Sequence, residues 1–169
     1  MSGKLIMYIG PMYASKSTEL IREANRYKSI NKKILTINHS LNNRYNTTNI
    51  STHNNIVLDN CVVISELMRL FNSHEYVDNK PDDYDVIIIE EVQFFDDAVK
   101  FILLCLNTYK KTIICAGLSA DYNNKPFPVI SALIPHTDQL TKLSSYCSVC
   151  LDGTPAIYSK ILKSTIMEE

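Results

Sequence analysis

The segment Gly10-Pro-Met-Tyr-Ala-Ser-Lys16-Ser17 follows the apolar run Leu5 to Ile9 and opens an amphipathic stretch. A loop between a strand and a helix aims backbone N–H groups and a helix N-terminus at one point, which suits a phosphate group. In a GxxxxGK[ST] loop the lysine reaches the terminal phosphates of a nucleoside triphosphate, and the hydroxyl ligates Mg²⁺. Lys16 and Ser17 occupy those two places, and Gly10, Pro11, Met12, Tyr13, Ala14 and Ser15 would form the cradle. Ser15 stands where the pattern has its second glycine. Glycine there permits a backbone that a Cβ-bearing residue enters only at a cost of about 1 kcal/mol or more.

A second element carries compatible chemistry. Asp85-Val-Ile-Ile-Ile-Glu90-Glu91 is an apolar, β-branched run ending in two acids, the layout of a Walker B strand whose carboxylate faces the nucleotide's metal. Each motif alone has an ordinary explanation, either a strand–turn–helix with an incidental Lys-Ser or a buried strand capped by acids. Together and in this order they point to ATP and Mg²⁺ as ligands, with Glu90 and Gln93 among the nucleotide-binding candidates. Glu91 reads equally well as a general base or as an acid favoured by a helix N-terminus.

The elements around these motifs alternate strand and helix, which implies an α/β fold, a P-loop NTPase-like parallel sheet flanked by helices. Leu20, Ile21, Ala24 and Tyr27 share one face of a helix that begins near Ser17. Lys33 to Asn38 reads as a strand, and residues 39 to 60, rich in Asn, Thr and Ser, as a long loop or irregular strands. Ile64 to Phe71 reads as a short amphipathic helix, and Asp78 to Asp85 as a polar connection. Val86 to Ile89, apolar on both faces, belongs at the centre of a parallel sheet. Val92 to Leu106 suits a helix, Thr112 to Leu118 a buried strand, and Val129 to Ile134 a short helix. The pattern weakens after Pro135. We expect a kinase-like domain over residues 1–140 and a small appendage over 141–169.

Bulk properties narrow the class. A chain of 169 residues fits one domain with room for a small appendage, and its 46% hydrophobic content can build a core without staples. A formal net charge of −1, with scattered Lys and Arg, argues against binding a nucleic acid polymer. No apolar run approaches the roughly 20 residues that cross a bilayer, and the N-terminus has no signal cleavage site, so no membrane partner is expected. Cys61, Cys105 and Cys115 stand singly in apolar surroundings, as buried thiols of a reducing compartment do. A cytoplasmic location is expected, the host cytoplasm for a viral chain. Asn- and Ile-rich composition suggests an AT-rich genome.

Four segments, GPMYASKSTELIREANRY, EEVQFFDD, NNKPF and the CSVC pair at Cys147 and Cys150, resemble in order and spacing the thymidine kinases of the cellular and poxvirus type, the type II family. The likeness runs from about Lys4 to about Lys160, and GPM…KSTEL and E-x-Q-F-F are particular to that family. It implies a viral member that transfers the γ-phosphoryl group of ATP to the 5′-hydroxyl of thymidine or a related deoxynucleoside. It implies Glu91 as the general base, with Lys16 and Arg44 beside the transferring charge. It also implies Tyr122 as the aromatic that stacks on the base, Leu118 as an apolar wall, and Phe94 and Phe127, like Phe95, as pocket or core aromatics. His53 matches a family position as well, where a structural hydrogen bond is the expected role. A homotetramer or homodimer follows from the same resemblance.

The resemblance further implies that Cys147 and Cys150 are half of a structural Zn²⁺ site. In the family the other two ligands come from a later C-x-x-C or C-x-x-H, with a lasso over the nucleoside between them. No second pair occurs before Glu169, which is compatible with a fragment or with a naturally short chain; the latter is our expectation.

Three residues depart from the family pattern: Ser15 for glycine, Glu90 for aspartate and Asn42 for aspartate. The extra methylene of Glu90 displaces its carboxylate by about 1.5 Å. These departures keep open a degenerate, catalytically weak nucleotide-binding paralogue with a binding or regulatory role. An ATPase for mechanical or assembly work is a third class, to which nothing in the chain points. An active kinase is our expectation, because Lys16, Ser17, Glu91 and Arg44 are all retained.

Overall fold

A computed structural model describes residues 3–41, 50–51, 57–58 and 61–161. Strand β1 (Lys4–Gly10) leads through the Gly10 loop into helix α1 (Lys16–Lys28). Strand β2 (Ile34–His39) follows, then two-residue strands β3 (Ile50–Ser51) and β4 (Val57–Leu58), which pair with each other, and β5 (Cys61–Ile64). Helix α2 (Arg69–Asn72) is a single turn, and β6 (Val86–Ile89) comes after two 3-10 turns. Helix α3 (Ala98–Asn107), strand β7 (Thr112–Leu118), helix α4 (Pro128–Leu133) and strand β8 (Gln139–Lys142) complete the main body. Strands β9 (Ser145–Tyr146) and β10 (Pro155–Ala156) form a small antiparallel hairpin beyond it.

Six strands make one sheet in the order β5-β2-β6-β7-β1-β8. Every pairing within it is parallel. All six strands therefore end on the same edge, where open parallel sheets have their ligand crevice. Side chains alternate along each strand and sort into two cores. Leu5, Met7, Ile9, Ile87, Ile89, Ile113 and Cys115 pack with Phe101, Ile102 and Cys105 of α3 and Ile130 and Leu133 of α4. Ile6, Tyr8, Val86, Ile88, Ile114 and Ala116 pack with Leu20, Ile21 and Ala24 of α1. The result is a helix–sheet–helix sandwich with β6, fully buried on both faces, near its middle. Cys61, Cys105 and Cys115 are buried and form no disulfide, as their apolar settings imply. Among the described residues no helix is long and apolar enough to cross a membrane.

Three elements differ from the reading of the sequence. The Ile64–Phe71 period is real as burial, since Ile64, Leu67 and Leu70 are all in the core. The backbone reaches those positions through strand β5, a turn and the single turn of α2, so helical spacing here does not mean a continuous helix. The expected helix from Val92 is likewise divided, into a 3-10 turn at Val92–Phe94 and α3 from Ala98. Asp97 sits between them and accepts the Met68 N–H at 2.7 Å, a tertiary bond that ties the break to the neighbouring segment. Strand β8 was not legible because it is a short, polar edge strand held by backbone pairing to β1. The boundary at 140/141 consequently passes through β8, whose residues 141 and 142 pair with Tyr8 and Ile9.

Candidate active site

The phosphate loop owes its shape to two left-handed residues. Tyr13 has φ 63° and Ser15 φ 62°, and the Ser15 carbonyl accepts the Glu19 N–H at 3.2 Å to start α1. The missing glycine was therefore legible as a demand on the backbone, and Ser15 meets that demand against its own steric preference. Gly10 is required for a different reason. A Cβ there would lie 2.6 Å from the Leu143 carbonyl oxygen, so only glycine lets the end of β8 close against the loop.

Lys16 Nζ donates to the Pro11 carbonyl at 2.7 Å, lying back across the loop. Ser17 Oγ donates to the Glu90 carboxylate, which joins the start of α1 to the end of β6. Strand β7 lies between β1 and β6, so this contact spans a whole strand at the sheet edge. Glu90 is only 6% exposed. Burial, helped by the charge of Glu91, pushes its carboxyl up to about 7, while the Ser17 hydroxyl and Lys16 ammonium pull the other way. A hydroxyl and a carboxylate side by side at the phosphate loop are the hard oxygen donors that Mg²⁺ takes, so the residues fit that ion.

Glu91 sits one residue on, at φ 51° and ψ 45°, in the left-handed region. Long helix α3 begins only at Ala98, so the macrodipole explanation of this acid does not hold for that helix. A non-glycine residue forced into this backbone beside a phosphate loop marks a place where geometry is held at a cost. Gln93 Nε2 donates to Glu91 Oε2 at 2.7 Å, and Gln93 Oε1 accepts the Leu118 N–H at 3.1 Å. The Gln93 side chain thus links Glu91 to the end of β7.

The candidate pocket residues are less tightly assembled. Leu118 ends β7 and is half-buried, while Tyr122 is exposed in the following loop, which the Ala120–Pro126 bridge folds into a small hairpin. Phe127 precedes α4 and packs against the core. Phe94 is partly exposed at the crevice, whereas Phe95 is fully buried. Arg44, Asn42 and His53 lie outside the described residues.

Two residues at this edge had no signal in the sequence. His39 ends β2, its ring 4.5 Å from Phe95 edge-on and 5.9 Å from Phe94. Burial lowers its pKa, and its Nδ1 accepts the Leu41 N–H at 3.0 Å. Ser159, far along the chain, accepts the Met12 N–H on Oγ at 2.9 Å. The segment after β10 therefore returns to the phosphate loop.

Cys147 and Cys150 face each other in the β9–β10 loop, where the Cys150 N–H donates to Cys147 Sγ at 3.4 Å. Donors from the Cys150 and Val149 backbone lower the Cys147 pKa, and the neighbouring Cys147 raises that of Cys150. Among the described residues no third His, Cys, Asp or Glu joins them, so the pair offers two of the four donors a structural zinc site needs.

Comparison with known proteins agrees with this arrangement. The family described as TK: Thymidine kinase matches residues 3–168. A thymidine kinase of Amsacta moorei entomopoxvirus is 38% identical over 164 residues, covering 96% of this chain and 87% of that one. Thymidine kinase 1 of Dictyostelium discoideum is 33% identical, covering 99% of this chain and 71% of its own. The flagellar accessory protein FlaH of Methanocaldococcus jannaschii matches with a TM-score of 0.53 at 17% identity, over 82% of this chain and 70% of that chain, a likeness of fold alone. With its phosphate loop, its acidic strand end and sequence matches that span nearly the whole chain, this chain belongs to the thymidine kinase family.

Proposed function

We propose that this chain transfers the γ-phosphoryl group of ATP to the 5′-hydroxyl of thymidine, giving thymidine monophosphate for nucleotide salvage. The observation that carries the reading is the Ser17–Glu90 contact, with Glu91 one residue further on. It supports the reading by joining the start of α1, just after the phosphate loop, to the end of β6, where Glu91 follows Glu90.

The loop N–H groups and Lys16 would hold the β- and γ-phosphates, Lys16 leaving the Pro11 carbonyl to do so. Ser17 and Glu90 would hold Mg²⁺, which would supply positive charge to offset that of the phosphates. Glu91 would orient and deprotonate the 5′-hydroxyl. Arg44 would stabilise the transferring charge, and Tyr122, Leu118, Phe94 and Phe127 would line the nucleoside side. Base stacking on an aromatic such as Tyr122 is worth about 1–3 kcal/mol. Support for the catalytic domain comes from the six-stranded sheet, which extends through Lys142, and the hairpin and later residues would form the appendage. Cys147 and Cys150 would contribute two thiolates to zinc, and nothing in the phosphoryl transfer depends on them. A homo-oligomer in the cytoplasm is the family expectation.

The test is transfer of labelled phosphate from ATP to thymidine with Mg²⁺, comparing the wild type with Glu91→Gln. Turnover by the wild type and loss of it in the variant support the kinase. Wild-type turnover no faster than the variant's would favour a nucleotide-binding role without catalysis.

A further inference from the structure

We infer that Gln93 is the positioning residue of the phosphoryl-transfer base, acting on the nucleoside side of the reaction through Glu91 rather than by contact with ATP. This rests on Glu91 acting as that base. The geometry fixes the amide without ambiguity. The Leu118 backbone N–H can only donate, so the oxygen of the Gln93 amide must face it, and the nitrogen must face Glu91. Glu91 Oε2 then accepts at 2.7 Å, which engages one carboxylate oxygen and leaves Oε1 to take the proton of an incoming hydroxyl.

Three features make this a rigid tie. Gln93 is 6% exposed, so its amide does not exchange partners with solvent at will. Its Oε1 lies 2.5 Å from where a Cβ on residue 117 would stand, so the bare backbone of Gly117 is what lets the amide lie against β7. Glu91 itself is held in a left-handed turn, from which its flexible side chain needs a second anchor to keep one orientation. The tie runs from Leu118, a candidate wall of the nucleoside pocket, to the carboxylate that must meet the nucleoside hydroxyl. Gln93 registers the base against the pocket.

Gln93→Glu is the informative variant, because it keeps an oxygen toward the Leu118 N–H and replaces only the donor toward Glu91. Expected is a fall in kcat of about 10–100-fold, the size of a misplaced catalytic group. KM for ATP and for thymidine should stay within about threefold. Gln93→Met, neutral and of similar length, should lower kcat similarly, which separates loss of the tie from charge repulsion or misfolding. In a Glu91→Gln background, Gln93→Glu should change the residual single-turnover rate by less than about twofold. An equal loss in both backgrounds would overturn the inference, as would a raised KM for ATP at unchanged kcat. If Glu91→Gln turns over like the wild type, the base assignment itself fails. If Glu91→Gln is inactive while both Gln93 variants turn over like the wild type, only the positioning role fails.

Discussion

Ser17 and Glu90, 73 residues apart in the chain, are joined by a hydrogen bond from the hydroxyl to a buried carboxyl. Glutamate is one methylene longer than aspartate, and here its carboxyl meets the hydroxyl directly. Burial pushes this carboxyl up to about 7, so it changes charge in the neutral range.

That shift has a sign in stability. The folded value, about 7, lies above the ordinary 4.5, so between them the native state keeps a proton that the unfolded chain has lost. Stability contributed by Glu90 is therefore complete below the lower value and declines as pH rises through the window, by at most on the order of 3 kcal/mol. Melting in EDTA without nucleotide should show the wild type losing ground to Glu90→Gln from about pH 5 to 8. A constant difference between the two across that range would contradict the assignment.

Lys16→Ala removes the ammonium that would reach the phosphates and its bond to the Pro11 carbonyl. We expect kcat/KM to fall about 10²–10³-fold, as when a charge-stabilising donor is lost. The melting temperature should shift by only a few degrees, because a single half-exposed hydrogen bond is worth about 1 kcal/mol. A variant with full activity would exclude Lys16 from the transfer.

Ser15→Gly tests whether the left-handed serine and the longer Glu90 compensate one another. Glycine relieves a strain of about 1–2 kcal/mol but makes the unfolded chain freer by about half of that, so the net change in stability should be small. Under compensation, kcat/KM is unchanged or lower. A large gain in activity would show that Ser15 is simply a defect of the loop.

Phe95→Ala reports on the other side of the crevice. The ring is fully buried and lies edge-on to His39 at 4.5 Å, so its loss should cost about 3–5 kcal/mol. Water admitted to the gap should also relieve the burial that lowers the His39 pKa, and its NMR titration should move upward. A His39 titration unchanged by the substitution would show that Phe95 does not shield it.

The central sheet was legible because Leu5 to Ile9, Val86 to Ile89 and Thr112 to Leu118 are apolar on both faces, and only a doubly covered sheet buries such runs. Strands β5 and β8 were not, since their few residues owe their place to backbone pairing with β2 and β1. Hydrophobic period also misled where the chain turns between core positions, as from Ile64 to Leu70 and from Val92 to Ala98.

Sequence alone determined the reactive inventory: a loop with Lys16 and Ser17, an apolar strand ending in Glu90 and Glu91, and a Cys147–Cys150 pair. It also implied the strain at Ser15, because a backbone demand belongs to the motif itself. Which acid meets which partner was a tertiary decision. Glu90 reaches Ser17 because β6 and β1 flank β7 in a parallel sheet, and Gln93 can hold Glu91 because Gly117 leaves room for its amide at the end of β7. Likewise Ser159 comes to Met12 only through the path of the folded chain. Local spacing encodes what a residue can do, while distances across strands and loops exist only once the sheet has formed.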